Sequence, residues 1–281
     1  MTVLAASGSP AAPPPRISIY RHGLVVRLTH WINVLAISLL LMSGLNIFNA
    51  HPRLYWGAAG ADFDPAWLEM KASGDRGLLR IGALSLDTTG VLGLSQASDG
   101  SWNQQGFPDA VTFPGHRDLA TARRWHFFLA WVFVINGAIY YLSGLITGHL
   151  RRDIAPARRE LAPGALWTSV VDHLKLRHPV GEAARRYNVL QKLAYLAVIV
   201  ILLPLMVLTG LTMSPGVDAA VPWLVSLFGG RQSARAIHFI TANLIVLFVI
   251  VHLVEVVLAG VWNEIRSMIT GRYVVPAEKH R

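Results

Sequence analysis

Histidine is the residue type in this chain most able to do chemistry, and its spacing in one segment is particular. The stretch IHFITANLIVLFVIVHLVEVVLAG, residues 237–260, is apolar and of membrane length, yet it carries His238 and His252 fourteen positions apart. Ionisable groups inside a bilayer are costly and mark functional sites. At roughly 100° per residue, fourteen steps return to within about 40° of the starting face, and at about 1.5 Å per residue they separate the rings by roughly 21 Å. One helix thus shows two imidazoles to one side, one near each membrane surface, as two sites stacked across a membrane would require. The 281 residues include no cysteine, which excludes disulfides, thiolate zinc sites, iron–sulfur clusters and covalent c-type haem attachment. Any metal or cofactor held by side chains therefore leans on the 11 histidines.

The elements that must position these rings are membrane helices. The chain is 53% hydrophobic and 15% charged, against about 25% charged in a soluble domain, and its mean hydropathy is +0.44. A scan for about 20 apolar residues in a row gives four spans, about 26–48, 125–148, 189–213 and 235–262. Pro204 falls within the third, where a kink is tolerable if neighbours satisfy the freed carbonyl. The shorter apolar patches GALWTSVVDHL and AAVPWLVSLFGG read as interfacial helices, with Trp167 and Trp223 at headgroup level. The predicted fold class is an all-α integral membrane protein, a four-helix bundle with short interfacial helices and a long extracytoplasmic loop.

Residues 1–25, rich in Ala, Ser and Pro, read as a flexible tail without the pattern of a secretory signal. The membrane domain then covers 26–262, and 263–281 form a C-terminal tail. With four spans, both termini share a side with loop 149–188. That side, Arg27 included, carries 15 Lys/Arg against 6 Asp/Glu, while the other carries 9 of each. The positive-inside rule places both termini in the cytoplasm, in a bacterial inner membrane. Loop 49–124, outside, is too long for a connector and is the expected docking surface for a partner. The basic inner loops need no nucleic-acid partner, because topology and anionic lipid account for them.

This topology pairs the histidines by depth. His30, early in the first span, and His252 lie on the cytoplasmic side; His126, opening the second span, and His238 lie on the outer side. Two imidazoles facing each other suit a bis-histidine haem iron, which has no open position for substrate and moves electrons. The other histidines, His22, His51, His116, His149, His173, His178 and His280, read as interfacial or solvated. A weak repeat, MSGL at 42–45, LSGL at 142–145 and LTGL at 208–211, reads mainly as small-residue helix packing, and it also allows a flat cofactor to approach closely.

The segments RLTHWIN, RRWHFFLAWVF, YNVLQKLAYL and IHFITANLIVLFVIVHLVE together resemble the bacterial cytochrome b561 / Ni,Fe-hydrogenase cytochrome b family. That family includes the b-type membrane subunits of hydrogenases, formate dehydrogenases and thiosulfate reductases. The likeness covers all four spans, and the fourteen-residue histidine spacing is its most specific element. It implies two haem b groups, His126 with His238 and His30 with His252, passing electrons between a periplasmic oxidoreductase and the quinone pool. The length of loop 49–124 is closer to relatives that accompany periplasmic molybdopterin oxidoreductases; a hydrogenase or formate dehydrogenase partner is the other choice.

Further polar residues follow from these sites. Arg123, Arg124 and Arg235 flank the outer pair and Arg27 precedes His30, where each could bind a haem propionate bidentately. Asn188, Gln191 and Lys192 open the third span at the depth of the inner pair, where the resemblance places quinone. Glu255, one turn beyond His252, could move protons to or from it. The rivals are a proton-coupled transporter with a histidine relay, which usually needs more spans, and a non-redox anchor for a partner enzyme.

Overall fold

A computed structural model describes residues 16–97, 99–175 and 188–276; His178 and His280 lie outside them. In chain order the helices are α1 (Leu24–Phe48), α2 (Leu119–Thr147), α3 (Pro163–Leu174), α4 (Val189–Leu196), α5 (Leu203–Thr212), α6 (Pro215–Ala220), α7 (Pro222–Leu227) and α8 (Arg231–Thr270). Among the described residues, four helices are long and apolar enough to cross a membrane: α1, α2, the continuous Val189–Thr212 formed by α4 and α5, and α8. Leu35, Ile146 and Trp262 point outward from them, as side chains do where lipid is the solvent. The amphipathic α3 and the short α6 and α7 keep Trp167 and Trp223 exposed. The protein is a mostly helical integral membrane bundle, and the all-α expectation fails only where strands form outside the spans.

Local chemistry sets the helix ends. The Asp118 carboxylate accepts from the Thr121 backbone N–H at 3.0 Å, so α2 begins at Leu119, ahead of the expected 125. Gly148, at φ 71°, ends it. α8 extends past the expected 235–262 in both directions and leaves helical geometry at Gly260 (φ 105°, ψ 85°). In the third span a π-helical turn, Ala197–Leu202, precedes Pro204 and closes with a bond from Leu203 N–H to Val198 O. The next bond in that register would join residue 204 to Ile199 O, but proline has no N–H. The Tyr141 hydroxyl from α2 donates to Ile199 O instead.

Of the expected flexible tail over 1–25, residues 1–15 lie outside the described residues, and Arg16–Tyr20 form a strand. Strand β1 (Arg16–Tyr20) pairs antiparallel with a C-terminal strand, Arg272–Pro276, in the register Ile19↔Tyr273. Arg21 ties the junction to Glu264 at 3.3 Å and lies over the Tyr273 ring. His22, read from sequence as interfacial or solvated, is buried here. Burial, then the charge of Arg21, pushes its pKa down to about 4.

At the opposite end, residues 49–118 form a small β-structure. Strands β2 (Arg53–Leu54), β3 (Leu68–Ser73), β4 (Arg76–Ile81) and β5 (Leu84–Asp87) make an antiparallel meander. β6 (Ser95–Gln96) pairs with β7 (Trp102–Asn103), and the C-terminal strand is β8. The core of this unit, Leu54, Leu68 and Met70, is continuous with Phe48 of α1 and Phe239 of α8. Phe48 stacks on Phe239 at 4.8 Å. Gly230 opens α8 where any Cβ would strike the Gly57–Ala58 backbone, and the Gly57 N–H donates to Ser233 Oγ at 2.7 Å. The meander is thereby seated on the membrane helices.

Glu69, 3% exposed, gathers Arg53 at 2.8 Å, Lys71 at 3.0 Å and Arg80 at 3.1 Å across β2, β3 and β4. Burial alone would raise its carboxyl, but the Lys71 hydrogen bond and the three cations outweigh this and hold it below the usual carboxylate range. Its contribution to stability is complete above about pH 4.3, the ordinary Glu value, and is lost as pH falls through the depressed folded value. Glu69→Gln should loosen the meander by about 2 kcal/mol, read as faster amide exchange and protease cleavage within 53–87, and strong acid should reproduce the effect in the unmutated protein.

Candidate functional site

The four singled-out histidines meet in two pairs. His126 of α2 and His238 of α8 lie with ring centroids 6.4 Å apart and planes at 62°. His30 of α1 and His252 of α8 repeat the arrangement at 6.4 Å and 64°. The first pair lies toward the β-meander and the second toward the strand pair of the termini; they are called here the sheet-side and terminus-side pairs. Two metal–imidazole bonds of about 2 Å each, plus two half-rings, span roughly 6 Å between centroids. Both gaps therefore have the width that one metal ion between two imidazoles requires. Among the described residues no three His, Cys, Asp or Glu side chains gather as a metal site. A metal at either gap must bring its remaining ligands with it, as the iron of a tetrapyrrole does.

The sheet-side rings are oriented by hydroxyls that the sequence reading did not single out. Ser43 Oγ donates to Leu39 O at 2.7 Å, and Thr209 Oγ1 donates to Leu205 O at 2.6 Å. With its proton committed, each hydroxyl accepts from a histidine: His126 Nδ1 at 3.0 Å and His238 Nδ1 at 3.0 Å. That leaves each Nε2 for the gap. The next residue in each case is glycine, and a Cβ at Gly44 or Gly210 would lie 3.4 Å from the Cε1 of His126 or His238. The signal was present in MSGL and LTGL, whose small residues pack against histidine. LSGL does not join them, since Gly144 faces Leu150.

The terminus-side pair has different surroundings. His252 stacks on Phe248 at 6.0 Å and 10°, while His30 Nδ1 is buried without a partner among the described residues. Nearby, the buried Asn136 of α2 donates to Thr29 O at 2.8 Å and Asn33 Oδ1 at 2.7 Å of α1, locking the helix that carries His30.

The sequence profile of the prokaryotic cytochrome b561 family matches residues 21–271. The chain belongs to the prokaryotic cytochrome b561 family. It is a membrane haem b electron-transfer subunit. A relative from Azospira oryzae, provisionally named protein-methionine-sulfoxide reductase subunit YedZ1, is 28% identical over 233 residues, covering 83% of this chain and 88% of the relative. No solved structure matches the chain.

Beside His252 the cytochrome has a cleft of about 190 Å³, lined by Leu190, Gln191, Tyr195, Phe248, His252 and Glu255 among others. Gln191 Nε2 donates to Glu255 Oε2 at 3.3 Å, so two of the expected residues meet. Asn188 does not line it: its side chain accepts from Leu190 N–H at 3.0 Å as the cap of α4, and its N–H donates to Gln191 Oε1 at 3.2 Å. Lys192 turns away to Glu160, at 2.9 Å and 3.0 Å. A buried ammonium needs a carboxylate partner more than an apolar cleft.

The arginines also divide. Arg235 donates to Arg53 O at 2.6 Å and His51 O at 2.5 Å, so it bolts the meander to α8 rather than reaching toward the histidines. Arg123 lies over Phe127 at 5.7 Å and Arg124 donates to Thr121 Oγ1 at 3.1 Å, both exposed. Arg27 donates to Ile269 O at 2.5 Å, yet its Nε is buried with no partner among the described residues.

A Cβ at Gly44 or Gly210 would already touch the ring beside it, so a branched side chain there must displace the ring, whereas Gly137 of α2 faces open space. Gly44→Val and Gly210→Val should each lower the haem-to-protein ratio of the purified cytochrome, by pyridine haemochrome, while Gly137→Val leaves it unchanged.

Proposed function

We propose that the cytochrome holds two haem b groups, one between His126 and His238 and one between His30 and His252, and carries electrons between an oxidoreductase on its β-meander and the membrane quinone pool. The observation that carries this reading is the recurrence of one ring separation, 6.4 Å, at two depths. Each haem would be held by the ring nitrogens of its histidine pair and would supply one-electron exchange there. The protein's part is to set the rings: α8 presents both depths from one rigid face, and the hydroxyls of Ser43 and Thr209 keep Nε2 of His126 and His238 toward the gap. The buried Arg27 Nε offers a charged donor to a propionate near His30, and Arg123 and Arg124 stand at the entrance to the sheet-side pair.

Quinone is assigned to the cleft beside His252, where Gln191 and Glu255 offer a donor and an acceptor to a carbonyl or hydroxyl. Asn188 acts through Gln191, holding its Oε1 by the α4 cap, and Glu255 moves the proton that quinone chemistry requires. The charge asymmetry supports an inner-membrane location with cytoplasmic termini. The partner proposed is a periplasmic molybdopterin oxidoreductase. The reductase named in the Azospira oryzae relative supports an enzyme partner of that general kind.

Two haems per chain, falling to one in His126→Ala and in His30→Ala separately, are the expected haemochrome result; one haem in the unmutated protein overturns the pairing. Gln191→Leu and Glu255→Gln should keep both haems yet slow electron exchange with a soluble quinone analogue at least about tenfold, measured by stopped-flow absorbance.

A further inference from the structure

The two pairs are not equivalent, and the difference lies in what the far side of each ring touches. On the sheet side, His126 and His238 both give Nδ1–H to a hydroxyl at 3.0 Å. The two cradles come from different helices, α1 for His126 and α5 for His238, and hold the ring nitrogen at the same 3.0 Å. On the terminus side, His30 Nδ1 has no partner among the described residues, and His252 lies against the apolar face of Phe248.

A hydrogen bond accepted from the outer N–H of a metal-bound imidazole raises the basicity of the ligating nitrogen. A more basic ligand favours the more positive, oxidised metal and so lowers its reduction potential; second-shell hydrogen bonding is one of the protein's levers on haem. We propose that Ser43 and Thr209 are positioning residues for the sheet-side haem that hold it at the lower of the two midpoint potentials. The proposal rests on the reading that each histidine pair holds one haem. It makes the potential step across the membrane a property of two hydroxyls that contact no substrate and no metal.

The test is a redox titration of the purified holo-cytochrome followed at the haem absorbance bands. Two waves are expected in the unmutated protein, with the lower one missing in His126→Ala. Ser43→Ala and the isosteric Thr209→Val should each move the lower wave to higher potential and leave the upper in place, while Ser43→Thr and Thr209→Ser, which keep the hydroxyl, should leave both near their original positions. Ser38→Ala is the control, because Ser38 Oγ donates to Val34 O on the same helix and touches no histidine. Loss of only the lower wave in Ser43→Ala, reversed in Ser43→Thr, also supports the positioning role. The proposal is overturned if both hydroxyl-free variants leave the lower wave unmoved, or if His126→Ala removes the upper wave instead. Failure of the two-haem reading shows separately, as a single haem and a single wave before any substitution.

Discussion

Lipid offers no hydrogen bonds and no counter-charge, so a polar side chain within the bilayer has to find its partner inside the bundle. Four imidazoles are the largest such demand here, and much of the helix arrangement follows from meeting it. Each pair joins α8 to a different helix, α2 on the sheet side and α1 on the terminus side. α8 is therefore the shared wall of both sites. At 6.4 Å between centroids the rings of each pair meet only edge-on, so other groups must help to hold them. Asn136 ties α2 to α1 near one pair, and Ser43 and Thr209 restrain the rings of the other.

The same constraint explains why α1 and α5 repeat a hydroxyl followed by glycine. The hydroxyl satisfies the ring nitrogen while returning its own proton to the helix, so no polar group is left facing lipid. The glycine lets the imidazole lie against the helix backbone. Tyr141 meets an equivalent need elsewhere, since the carbonyl that Pro204 leaves unpaired would otherwise face an apolar interior.

Outside the membrane helices, the β-meander is joined to them by a continuous apolar core and by charge-assisted bonds. Phe48 and Phe239 belong to membrane helices yet pack with the meander, and Phe239 is the chain neighbour of His238. Arg235 sits one turn from that histidine and spends its donors on two meander carbonyls. A partner pressing on the meander thus bears on the helix that carries both depths of histidine.

The number of spans, their order and the depth of each histidine were legible in the chain, because bilayer thickness imposes a run length and the helix imposes an angle. The fourteen-residue spacing alone placed His238 and His252 on one face, and topology alone matched them to His126 and His30. The destinations of the long polar side chains were not legible. Arg235, Lys192 and Asn188 each stand at the sequence position expected of a site residue, yet one binds backbone carbonyls, one binds Glu160 and one caps a helix. Such side chains reach in any direction from their Cα, and the nearest unsatisfied group claims them; which group is nearest depends on segments far apart in sequence. Ser43 and Thr209 show the converse. Their helical spacing is ordinary, and only the packing of α1 on α2 and α5 on α8 brings each hydroxyl within 3.0 Å of a ring nitrogen. Periodicity along the chain thus determined which residues share a depth and a face, while the close approach of separate helices decided which of them touch.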